Sequence, residues 1–100
     1  MATTTKVLAR TAAATSSTTL YTVPSATTTV VSNIAVTNTA SSAATFTLTL
    51  NGVAIQSGSS VAANSTAYID LKQVLSATQV IAGLASATTV NFHISGVEIS

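Results

Sequence analysis

One histidine, two carboxylates and three basic side chains are the only groups in this 100-residue chain suited to acid–base chemistry near neutral pH. Nucleophilic catalysis needs a base within reach of the nucleophile and a further group that orients the base. His93 alternates with Phe92 and Ile94, which predicts a polar position on a strand, and nothing in the spacing brings it to Asp70 or Glu98. A lone histidine also falls short of the three protein ligands of a catalytic zinc site. We therefore predict no enzyme, no metal and no cofactor.

Lys6 and Arg10 are four residues apart, which in a regular strand places both side chains on one face with Leu8 between them. Charges on an edge strand prevent uncontrolled pairing with other strands, and this is the first interpretation of the pair. The second is that the two cations bind an acidic neighbouring protein.

Threonine recurs at every second position in a strand-like run that includes Thr45, Thr47 and Thr49. Such a row is either an uncharged solvent face, a contact with another subunit, or an array that matches the ice lattice. An ice-binding surface needs the row repeated over several strands, and the neighbouring polar rows are irregular. The candidate partner-contact residues are Lys6, Arg10, Thr45, Thr47, Thr49 and His93.

Charged residues make up 5% of the chain, against about 25% in ordinary soluble proteins. The net charge of +1 and the mean hydropathy of +0.58 are opposite to the signature of disorder. Nucleic-acid binding needs clustered cations, and a spanning helix needs about 18 consecutive apolar residues. We therefore expect a folded structural protein that binds neither nucleic acid nor membrane.

Alternation of apolar and polar residues dominates the chain and indicates strands throughout. Seven to eight strands, separated by polar turns, predict an all-β, antiparallel β-sandwich of the jelly-roll or immunoglobulin-like kind. We expect one domain over residues 1–100, in which residues 1–17 form an N-terminal strand or arm and a linker. Asn51-Gly52 predicts a tight hairpin turn, and residues 58–65 are expected to form a loop.

Two strands are predicted to depart from a simple pattern. In the strand over residues 27–39, Val30 is expected on the same face as Ile34 and Val36, with Val31 on the opposite face. In the last strand, residues 89–99, a change of apolar phase predicts a β-bulge at Gly96. Residues 71–75 allow either a strand or one helical turn.

Four segments follow one another along the chain: Thr19-Leu20-Tyr21-Thr22-Val23-Pro24, Val36-Thr37-Asn38-Thr39, Ala44-Thr45-Phe46-Thr47-Leu48 and Val90-Asn91-Phe92-His93-Ile94-Ser95-Gly96-Val97-Glu98-Ile99. Together they resemble a small family of bacteriophage virion proteins, and the resemblance covers the chain from about Lys6 to its end. Members of that family are free-standing minor tail or capsid-surface proteins, or modules of longer tail proteins.

The resemblance implies an accessory minor tail or capsid decoration subunit that stabilises the particle through contacts with other virion proteins. We expect it to be made in the host cytoplasm without a signal peptide. The small core favours a homo-oligomer, and the resemblance favours a trimer. The alternative function is a phage module that binds a receptor or glycan on the host surface.

Overall fold

A computed structural model describes residues 2–100 as eight antiparallel strands without a helix. The all-β prediction with seven to eight strands is confirmed. Met1, part of the expected 1–100 domain, lies outside the described residues. The strands are β1 (Thr3–Ala12), β2 (Thr18–Thr22), β3 (Thr28–Asn38), β4 (Ala44–Leu50), β5 (Val53–Val61), β6 (Ser65–Leu75), β7 (Val80–Ala85) and β8 (Val90–Ile99).

The strands form two four-stranded sheets, in the orders β1-β8-β3-β6 and β2-β7-β4-β5. The β4–β5 connection stays within one sheet, and every other connection crosses to the opposite sheet. This order is typical of the jelly-roll alternative, which combines two Greek keys in eight strands. Strands that are distant in sequence thus become neighbours, as with β1 and β8.

The core lies between the sheets and is built from the inward half of each alternating pattern. Phe46 from one sheet and Phe92 from the other meet edge to face, with ring centroids 6.2 Å apart. Both phenylalanines are buried, as are Ile34, Leu48 and Ile81. Burial of apolar surface stabilises the sandwich, and the aromatic contact ties its two layers together.

The hairpin turn at Asn51-Gly52 is confirmed, since both residues have positive φ, 50° and 81°. The loop predicted over residues 58–65 is wrong in its first half, because β5 continues to Val61. Irregular pairing with β4 lets the strand accommodate the positive φ of Gly58. The helical-turn option for residues 71–75 is also wrong, because the whole segment belongs to β6 and its residues 73–75 pair with β3.

The bulge predicted at Gly96 is wrong: β8 is unbroken, and the extra residues lie in its neighbours, at Leu8 in β1 and Ser32 in β3. The extra residue at Ser32 reverses the phase of β3, so that Val31 is buried on the same side as Ile34. A side chain at Gly96 would overlap the Val30 carbonyl oxygen. Glycine is required there by close backbone approach, with no bulge at that position.

Candidate interaction surfaces

All five charged residues of the chain lie in the sheet β1-β8-β3-β6, hereafter the charged sheet. The strands of the sheet β2-β7-β4-β5, hereafter the uncharged sheet, contain none. Four of the charges belong to the edge strands β1 and β6: Lys6, Arg10, Asp70 and Lys72. The interpretation of Lys6 and Arg10 as edge-strand charges therefore agrees with their position, because long edge strands need protection against further pairing.

The shared face predicted for Lys6 and Arg10 is wrong. The extra residue at Leu8 shifts the register, so that Lys6 pairs with the core-facing Gly96 and Arg10 pairs with the exposed His93. Lys6 consequently extends along the rim of the core, while Arg10 lies on the outer face. The two cations belong to different surfaces.

Lys6 belongs to a polar network that joins the two sheets at their open edge. Its Nζ lies 3.3 Å from Oε1 of Glu98, and the Tyr21 hydroxyl donates a hydrogen bond to Oε2 of the same carboxylate. Tyr21 Oη also lies 2.9 Å from the hydroxyl of Thr29, which is fully buried. The network thus links β1, β8 and β3 of the charged sheet to β2 of the uncharged sheet.

This network changes the acidity of two of its members in opposite directions. Burial raises the pKa of the Tyr21 phenol above its usual range, and the hydrogen bond to Glu98 raises it further. The hydrogen bond from Tyr21 lowers the pKa of the Glu98 carboxyl, with a smaller contribution from Lys6. The carboxylate stays charged and the phenol stays neutral over a wide pH range, which suits a structural link.

The outer face of the charged sheet contains a row of side chains that crosses all four strands. Arg10 of β1 is opposite His93 of β8, which is opposite Ala35 of β3, which is opposite Tyr68 of β6. Arg10, His93 and Tyr68 are all exposed. The predicted polar, exposed placement of His93 agrees with the structure, although its neighbours come from distant parts of the chain.

This outer face also carries most of the large apolar side chains that reach solvent. Val7, Tyr68 and Val74 are 45%, 73% and 63% exposed; Val53, at the β4–β5 turn, completes the set of such residues in the described chain. Next to Val7, a shallow groove of about 410 Å³ follows strands β1 and β8. Its lining comprises Thr5, Lys6, Val7, Ser32, Ser95, Gly96 and Val97.

The row of Thr45, Thr47 and Thr49 lies on the outer face of the uncharged sheet, in β4, one of its two central strands. Two of the hydroxyls are used locally: Thr47 Oγ1 accepts from Gly58 N–H at 3.1 Å, and Thr49 Oγ1 donates to Ala82 O at 3.4 Å. Their cross-strand neighbours are Ser60 and Ala54 of β5 and Leu84 and Ala82 of β7. This surface is uncharged and needs little dehydration before contact.

Asn38 organises the loops at one end of the sandwich and is completely buried. Its side-chain amide donates to the Ser42 carbonyl at 2.8 Å and lies 3.4 Å from the Ala62 carbonyl. Its side-chain oxygen Oδ1 accepts hydrogen bonds from Ala40 N–H and from the Thr89 hydroxyl, each at 3.1 Å. Buried amides that satisfy this many partners hold loops in place.

Sequence reasoning missed Asn38 and the Tyr21–Glu98 network as structural centres. The signal for Glu98 was present, because strict alternation from Phe92 through Gly96 directs Glu98 towards the core side. The predicted bulge at Gly96 concealed it. Nothing local marks Asn38, because its partners belong to three separate loops.

In the described part of the chain, residues 2–100, no three histidine, cysteine or acidic side chains group as metal ligands. No helix of that part is long and apolar enough to cross a membrane. Compared with protein-family models and with curated proteins, the chain matches none of them.

Proposed function

We propose that this chain is a non-enzymatic structural subunit of a bacteriophage virion, an accessory minor tail or capsid decoration protein. The observation that supports it best is the uncharged outer face of the β2-β7-β4-β5 sheet, centred on Thr45, Thr47 and Thr49. The resemblance of the chain to small virion proteins supports the same function.

A face of this kind is suited to contact with another virion protein. Burying a charge is costly unless it is paired, and protein interfaces are depleted of charged residues at their centres. Because the strands of the uncharged sheet contain no charge, the whole face is covered without that penalty. A subunit that binds only the assembled particle stabilises it by mass action.

The proposal is tested on virions purified from the phage that encodes the chain. We expect mass spectrometry to detect the protein in stoichiometric amount with the particles. Added protein carrying Thr45→Lys should bind depleted particles at least tenfold more weakly than wild type, because the lysine places a charge in the middle of the face. Ser41→Lys, in the exposed β3–β4 loop, is the matched control and should bind normally. Absence of the protein from purified virions would refute the proposal.

A receptor- or glycan-binding module is the second candidate, and one observation favours it: Tyr68 is 73% exposed on a sheet face. Sugar sites commonly use an aromatic ring as a stacking platform. The other three aromatic residues, Tyr21, Phe46 and Phe92, are buried, so a glycan would stack on Tyr68 alone. Glycan-array binding that disappears in Tyr68→Ala would replace the structural proposal with this one.

A further inference from the structure

The outer face of the charged sheet has features that complement each other across the sheet. Its β6 edge has an exposed Val74, an exposed Tyr68 and the carboxylate of Asp70. Its β1 edge has Arg10 and the groove beside Val7. Projecting apolar and acidic groups thus lie at one edge, with a groove and a cation at the other.

We propose that this face binds a second copy of the chain, through a two-fold axis that lies in the interface and runs parallel to the strands. Such an axis places β1 of one copy over β6 of its partner and keeps each cross-strand row in line with itself. Arg10 then lies over the partner's Tyr68. The partner's Asp70 lies next to this contact, because Asp70 and Val7 belong to the adjacent cross-strand row. This inference is independent of the proposed virion function.

Charge and shape both select this axis over the alternative one. A two-fold axis across the strands would place β1 over β1 and bring the two copies of Arg10 towards each other. With the axis along the strands, Arg10 meets a carboxylate and an aromatic ring, a favourable combination for guanidinium. Val74 is in the same cross-strand row as Thr5, so the partner's Val74 enters the groove lined by Thr5 and Val7.

The available area is sufficient for a specific contact. Four strands about 4.8 Å apart, each about ten residues long, cover about 600 Å². Two such faces bury about 1,200 Å², the lower end of the range for stable, specific interfaces. Lys72, also on β6, is exposed between Asp70 and Val74 and therefore lies on the same face. The contact is isologous, so it closes at two copies.

The oligomeric state tests the proposal through two matched variants. Wild-type protein at 1–100 µM should approach twice the 9.9 kDa monomer mass in sedimentation equilibrium. Val74→Lys should raise the dimer dissociation constant at least tenfold, whereas Val53→Lys, at a somewhat more exposed valine outside the face, should leave it unchanged. A monomer at 100 µM, a trimer, or equal effects of the two variants would overturn the proposal.

Cross-linking tests the axis itself and does not depend on the folding of the lysine variants. The chain has no cysteine, so Arg10→Cys and Tyr68→Cys each introduce a single thiol. A short bismaleimide should link the mixed variants into a heterodimer and link neither variant efficiently to itself. Efficient linkage of Arg10→Cys to itself, or no linkage in the mixture, would refute the proposed axis.

Discussion

The two sheets of the sandwich share one core and present different outer faces. Each sheet contributes a phenylalanine and a set of aliphatic side chains to the core. Outside, the charged sheet carries Arg10, His93, Tyr68 and Asp70, whereas the uncharged sheet shows threonine, alanine and aliphatic residues. Because strand side chains alternate, the inward half of each strand serves folding and the outward half is free to differ.

The difference also concerns how each sheet protects its edges. In the charged sheet, edge strands β1 and β6 are 10 and 11 residues long and carry four of the five charges. In the uncharged sheet, β2 is only 5 residues long, and β5 pairs irregularly with β4. Charge, shortness and bulges are alternative ways to prevent edge pairing. Charge is therefore concentrated where long edges need it.

The largest expected difference between the sheets is at their inward glycines. Gly96→Ala should destabilise the fold by about 3 kcal/mol, because the new methyl group meets the Val30 backbone carbonyl, which cannot move aside. Gly83→Ala meets the Leu48 side-chain end at 2.9 Å and should cost about 1 kcal/mol, because that side chain can shift. Urea midpoints measure both. Equal losses, or a larger loss for Gly83→Ala, would contradict the backbone argument.

Asn38→Ala tests the end of the sandwich where both sheets depend on the same side chain. The substitution leaves the Ser42 carbonyl and the Thr89 hydroxyl without their amide partner. We expect a loss of about 2 kcal/mol in unfolding free energy. Asn91→Ala, a half-buried asparagine in β8, is the control and should cost less. A loss no greater than that of the control would mean that the loops are held by other contacts.

The Tyr21–Glu98 network should make stability depend on pH at both extremes. The lowered pKa of Glu98 adds stability that is present above its ordinary pKa, about 4.3, and is lost as the pH falls through the folded-state value. The raised pKa of Tyr21 adds stability that is present below about pH 10 and is lost as the pH rises through its folded-state value.

Tyr21→Phe is the variant that tests this dependence. The variant should remove the loss of stability that Tyr21 causes at alkaline pH. It should also weaken the loss of stability at acid pH, because only the Lys6 contact to Glu98 remains. Urea unfolding measured from pH 3 to pH 11 gives the unfolding free energy over both the acid and the alkaline range. Tyr68→Phe, which removes an exposed phenol outside the network, is the control. A Tyr21→Phe profile identical to wild type would exclude the network as a link between the sheets.

The smallest effects are expected on the two outer faces. His93→Ala on the charged sheet and Thr45→Val on the uncharged sheet should each change the unfolding free energy of the single chain by less than about 0.5 kcal/mol, because both side chains are exposed there. Thermal denaturation measures both. A loss above about 1 kcal/mol for either variant would mean that its outer face contributes to folding as well as to contact.

The sequence by itself determined the all-β class, a strand number of seven to eight and the β4–β5 turn. These features follow from the alternation of apolar and polar residues and from the turn residues, both of which depend on consecutive positions in the chain. The phase of the last strand could also have been predicted, since strict alternation places Glu98 on the core side.

Only the tertiary structure decided which strands are neighbours and at which residues the strand pairing changes register. The extra residue at Leu8, which separates Lys6 from Arg10, is visible only when β1 is paired with β8, more than 80 residues away. The row from Arg10 to Tyr68 joins four strands that are distant in sequence. Register between such strands depends on packing of the whole core, because a one-residue shift exchanges the two faces of a strand.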